Sequence, residues 1–151
     1  MDSENIVAKV EVGFYPKEKP GMGQAMKGQL FITGRRLVYV KYPGGKFMTA
    51  KPTDYSDKID EGLKNEGSFT VAIDDVNEAK ADRVWGTPFL RVRYKANGGE
   101  AACSFTLMSS MYALSAGNIV GVMKSPYDQL ARIIDQVKTE HSAGGSVDKK
   151  G

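Results

Sequence analysis

Residues 89–107 read FLRVRYKANGGEAACSFTL, and this stretch decides the fold. In its first arm Leu90, Val92 and Tyr94 alternate with Arg91, Arg93 and Lys95, so one face is apolar and the other basic. Asn97-Gly98 follows, the dipeptide that best supplies the two positive φ angles of a tight hairpin turn. The returning arm puts Ala101, Cys103, Phe105 and Leu107 on one face. Both arms therefore present apolar side chains to the same side. The stretch is an antiparallel hairpin with a core on one face.

Toward the N-terminus, FTVAI (69–73) reads as a strand. The acidic run DDVNEAKAD (74–82) then ends that strand ahead of a turn at WGTP (85–88). In the other direction, residues 108–124 carry Gly117 and Gly121 and fit either a weak helix or a final edge strand. Ser125, Pro126 and Asp128 then form a helix start: an N-cap, a first-turn proline and an acid three residues after the cap. Tyr127, Leu130, Ile134 and Val137 follow at helical spacing as one apolar stripe, widened by Ala131 and Ile133. Residues 141–151 read as a flexible tail.

Nearer the start, IVAKVEVGFY (6–15) alternates as a half-buried strand, and PKEKPGMGQ (16–24) has the composition of a loop. GQLFITGRRLVYVKY (28–42) reads as two strands rich in β-formers around a turn at Thr33-Gly34, where glycine supplies a positive φ. Residues 43–67 are polar with breakers at both ends. They read as a long insertion holding one short helix near Lys58–Asn65, either a lid or contact loop or a tolerated excursion. The expected organisation is a single domain over residues 1–140. It is mainly β (α+β), with about seven antiparallel strands and a C-terminal α-helix.

The 151 residues are 41% hydrophobic and 26% charged, enough for one real core on a soluble chain. No stretch reaches the ~20 apolar residues needed to span a bilayer, and MDSENIVAKV lacks the basic start and apolar run of a secretory signal. A single cysteine makes no internal disulfide, which points to a cytoplasmic protein, at most peripheral to a membrane. The net charge is only +3, but residues 15–41 carry Lys17, Lys19, Lys27, Arg35, Arg36 and Lys41 against Glu18, six minus one, or +5. Such a segment either solvates strand edges or draws an anionic partner.

The order of hairpins followed by one amphipathic helix resembles that of a pleckstrin-homology-like (PH-like) barrel. Residues 27–39, KGQLFITGRRLVY, are similar to the hairpin of GRAM and bacterial PH-like domains: glycine, apolar strand, Thr, turn, Arg-Leu, apolar strand. Val71–Val76 resembles the next strand of that family, and Gly86–Leu107 the hairpin after it. The resemblance spans about residues 6–138. It implies a barrel plugged at one end by the helix, and a binding module for lipids, membranes or proteins. It also implies a headgroup site in the first inter-strand loop, Pro16–Met26, which holds Lys17 and Lys19 and ends against Lys27.

Enzyme chemistry finds little support. The one histidine, His141, lies at the edge of the tail with nothing to orient it as a base, and Cys103 reads as a small buried hydrophobe. One His and one Cys leave an ordinary zinc site short of ligands, and no glycine cluster has phosphate-loop spacing, so no metal or cofactor is expected. Asp74-Asp75 reads as a turn. The basic ladder Arg91, Arg93, Lys95 lacks the interleaved exposed aromatics of a nucleic-acid surface, which makes nucleic acid an unlikely partner. The remaining readings are an anionic membrane surface or lipid headgroup held by Lys17, Lys19, Lys27, Arg35, Arg36 and Lys41, and a protein partner at exposed strand edges and the 43–67 insertion.

Overall fold

The chain forms one antiparallel sheet that curls around a core and is closed by a helix, in a computed structural model that describes residues 5–21, 25–44, 53–108, 112–113 and 126–150. Its strands are β1 (Ile6–Tyr15), β2 (Met26–Thr33), β3 (Arg36–Lys41), β4 (Phe69–Ala72), β5 (Val76–Val84), β6 (Thr87–Ala96), β7 (Gly99–Leu107) and the short β8 (Tyr112–Ala113). In space they run β4-β3-β2-β1-β7-β6-β5, with β8 beside the N-terminal half of β1. Among the described residues the edges β4 and β5 are not paired with each other. Two helices complete the described fold, α1 (Ile59–Gly62) and α2 (Pro126–Lys150).

The 89–107 hairpin forms as its turn chemistry requires. Asn97 and Gly98 take φ values of 48° and 80°, and Leu90, Val92 and Tyr94 lie opposite Phe105, Cys103 and Ala101. A second tight hairpin precedes it, with Trp85 and Gly86 at φ 54° and 79° joining β5 to β6. The acidic run does end β4, but it also carries a strand of its own. Only Ile73–Asp75 leaves the sheet, as a single 3-10 turn, and Val76–Val84 is strand. A register shift between Val76 and Glu78 turns both Val76 and Ala79 inward although they are three residues apart. That shift erases the alternation by which a strand is recognised.

At the β2–β3 turn the sequence pointed to glycine, but Gly34 is not in the left-handed region. The turn is held by Thr33 instead. Its Oγ1 accepts from the backbone N–H of Arg35 (3.2 Å) and Arg36 (3.0 Å) and donates to the Arg36 carbonyl (3.1 Å).

The stripe on α2 packs as its spacing demands. Leu130, Ile133, Ile134 and Val137 are buried against the sheet, each contributing about 1.5–3 kcal/mol relative to exposure. The Leu107 backbone N–H donates to the Tyr127 hydroxyl (2.8 Å), pinning the start of α2 to the end of β7. The Ser125 cap lies outside the described residues, as does most of 108–124. The helical backbone continues to Lys150, through residues read as a tail.

A second apolar layer lies on the other face of the sheet. Leu30 and Ile32 face the main core, whereas Phe31 faces outward and is equally buried. With Val38, Val40 and Tyr42 it is covered by Tyr55, Ile59 and Leu63 from the insertion. Polar ties reinforce the cover. The Tyr55 N–H donates to Gln29 Oε1 (2.8 Å), Asn65 Nδ2 to the Lys41 carbonyl (2.8 Å), and Lys9 Nζ to Ser56 Oγ (2.8 Å) and Asp54 Oδ2 (3.2 Å). Residues 53–68 thus form a strap docked across β1–β3, with the expected short helix at its centre.

Candidate functional site

The six basic candidates fall into separate places. Lys17 and Lys19 are exposed on the β1–β2 connection. Glu18 between them reaches back to the sheet and pairs with the Arg93 guanidinium on the outward face of β6. Further along the connection, Ala25 stands so close over Gly13 that a Cβ on that glycine would fall 2.6 Å from it. Both contacts lie on the face of β1, β7 and β6 that turns away from the main core. There Phe89 and Ser104 are only 1% and 0% exposed. The described part of this connection therefore lies flat on the sheet, its lysines directed to solvent by the anchoring of the acid between them.

Lys27 occupies an outward position near the start of β2. Lys41 is the cross-strand partner of Gly28 on the inward side, so the two share one end of the β2–β3 hairpin but not one face. Lys41 lines an open cleft of about 550 Å³ with Met26, Tyr42, Pro43, Gly44, Asn65, Glu66 and Gly67. Arg35 and Arg36 sit at the opposite end, roughly 20 Å away along strands that rise about 3.3 Å per residue. Arg36 is committed to Asp60 of α1 at 3.3 Å. The described residues hold no single pocket that gathers all six.

The β6 ladder is largely neutralised. Arg91 pairs with Asp82 at 2.5 Å, and Arg93 with both Glu18 and Glu78. The hydrogen bond from Arg93 holds the Glu18 carboxyl below its ordinary range, and the Arg83 backbone N–H followed by Arg91 does the same for Asp82. These carboxylates stay ionised and matched to their arginines.

A curled antiparallel sheet with β4 and β5 at the ends of its described strand order, its core stopped by one C-terminal helix, aligns over most of its length with a known structure. The fold is that of a pleckstrin-homology domain. The chain is similar to the Vps36 N-terminal PH domain at a TM-score of 0.51 and 14% sequence identity, over 95% of this chain and 85% of that one. No family model matches the sequence, and no curated protein sequence does. The likeness is one of architecture, which leaves ligand chemistry to the side chains.

On this PH-like frame His141 and Cys103 have structural surroundings. His141 Nδ1 lies 3.0 Å from Asp74 Oδ1, tying α2 to the 3-10 turn after β4. The expectation that nothing orients His141 is thereby corrected. The pair joins residues 67 apart, and neither flanking sequence signals it. Cys103 is buried in the main core, which pushes its thiol up to about 12. Among the described residues no three His, Cys, Asp or Glu gather as metal ligands would, and no helix is long and apolar enough to cross a membrane.

Proposed function

We propose that this PH-like domain is a non-catalytic binding module that docks on an anionic membrane surface through the β1–β2 connection. One observation carries the reading: Glu18 is consumed by Arg93 while Lys17 and Lys19, on either side of it, stay exposed. Basic residues near an anionic leaflet contribute about 1 kcal/mol each, and the attraction is screened within a Debye length. Lys27 and Lys41, near the same end of β2–β3, add to the field. Arg35 and Arg36, at the far turn, do not.

The test is co-sedimentation with phosphatidylcholine vesicles, with and without phosphatidylserine. Lys17→Glu with Lys19→Glu lowers partition to the anionic vesicles by at least about thirtyfold, the equivalent of roughly 2 kcal/mol. Lys64→Glu with Arg132→Glu, which changes net charge equally at exposed positions elsewhere, has a much smaller effect. Equal partition of both double variants removes the site. A second reading, an adaptor that pairs a partner strand with an open edge, is favoured by the outer side of β4, unpaired among the described residues. It predicts that binding survives loss of the lysines and fails when proline replaces Thr70.

A further inference from the structure

Trp85 is 97% exposed at the tip of the β5–β6 hairpin, and Met108 is the other exposed large hydrophobic among the described residues. The indole gains nothing from burial there, and its backbone is unfavourable as well. At φ 54° it occupies the left-handed region, where a bulky residue is an outlier. The equivalent position in the neighbouring turn is filled by Asn97, the residue type such a turn favours. Arg83 tightens the loop by donating from Nη1 to the Gly86 carbonyl at 3.2 Å, so the side chain projects from a rigid support. Neither folding nor turn chemistry accounts for tryptophan at this point.

The surroundings indicate what it meets. Lys80 and Arg83 are exposed on β5, and the register places Lys80 opposite Arg91 and Glu78 opposite Arg93, where Glu18 anchors the lysine-bearing connection. Arg83, opposite Pro88, shares the face of Ala81 and Leu90, whereas Lys80 is on the other face, so an exposed cation stands on each face of the hairpin near its tip. Indole prefers the headgroup layer of a bilayer, where its ring is half-dehydrated and its N–H still finds acceptors. A lone aromatic tip buries at most about 250 Å², far below the roughly 800 Å² per partner of a stable protein complex. A bilayer needs no such matching surface.

We infer that Trp85 is the point at which this domain enters the interfacial layer of an anionic bilayer, with Lys80 and Arg83 meeting the headgroups on either face of the hairpin. The inference rests on the membrane reading above and adds an insertion element to it. Trp85 is the chain's single tryptophan, so its emission reports on this position alone. In the full chain, phosphatidylcholine–phosphatidylserine vesicles shift that emission to the blue, and lipids brominated near the top of the acyl chain quench it. Trp85→Asn, which suits the same turn, keeps the fold by circular dichroism and lowers partition about tenfold. Sedimentation with the vesicles but without a blue shift, and with Trp85→Asn binding as well as wild type, overturns insertion while leaving membrane docking intact. Failure to sediment with anionic vesicles at low salt overturns both.

Discussion

Replacing Ile59 by alanine tests whether the strap over β1–β3 is a unit of its own. Ile59 is 9% exposed and packs with Phe31, Val38, Val40, Tyr42 and Tyr55 in a cluster distinct from the main core. Core truncations of isoleucine to alanine cost about 2–5 kcal/mol, least where the surroundings can close over the gap. α1 has only four residues on a polar connection, so it can settle inward, and the expected cost is near the low end, about 2 kcal/mol. Ile134, 0% exposed between α2 and the sheet, has no such freedom, and its truncation costs nearer 4 kcal/mol, a figure roughly double. The two losses also differ in kind. If the strap opens on its own, Ile59→Ala raises amide exchange across residues 53–68 by about thirtyfold, the equivalent of about 2 kcal/mol, and leaves 89–107 unchanged. Ile134→Ala instead lowers the denaturation midpoint followed by circular dichroism and speeds exchange everywhere. Exchange in 89–107 rising in step with 53–68 in the Ile59 variant would refute the argument, since strap and sheet would then unfold as one.

The strap should also respond to acid. Asp54 accepts from the Ser56 hydroxyl and N–H, Gln29 and Lys9, and the Ser56 hydrogen bond foremost holds its carboxyl well below the ordinary range. A depressed acid contributes stability that is full above its unfolded value of about 3.9 and is lost as pH falls toward the folded one. Protection of 53–68 relative to the intrinsic exchange rate therefore falls below about pH 4, and Asp54→Asn removes that dependence. Gly28→Ala forces a Cβ against the Val40 carbonyl and 2.8 Å from the Tyr39 ring, with a cost above about 2 kcal/mol read as a drop in melting temperature. Cys103, buried with its thiol pushed up to about 12, resists a disulfide reagent at pH 8 in the native protein and reacts once denaturant opens the core. Fast native labelling would place it outside the core.

Elements whose signals are local were legible in the sequence. The Asn97-Gly98 hairpin announces itself through turn chemistry and alternation within nineteen residues, and α2 through a stripe at spacings of three and four. β5 was hidden because its register shift breaks alternation where an edge strand is already polar. The docked strap had a readable sign. Leu30-Phe31-Ile32 and Leu37 through Val40 are apolar at consecutive positions, and a strand apolar on both faces must be covered on both. The short helix near Lys58 was visible, but its partner surface lay in another segment.

The site was harder to read because charge counted along the chain differs from charge left on the surface. Taken in order, Lys17, Glu18 and Lys19 sum to +1, and Arg91, Arg93 and Lys95 to +3, which makes the ladder the stronger attractor of anions. Folding reverses that ranking. Glu18 crosses to Arg93, 75 residues away, where Glu78 joins it, and Asp82 takes Arg91. Three acids now stand against the ladder's three bases, while the acid between the two lysines of the connection is turned toward Arg93. A polyanion that tracks a ladder of matched ion pairs must break them. A flat anionic surface that meets Lys17 and Lys19 breaks none, and this difference in cost favours a bilayer over a nucleic acid.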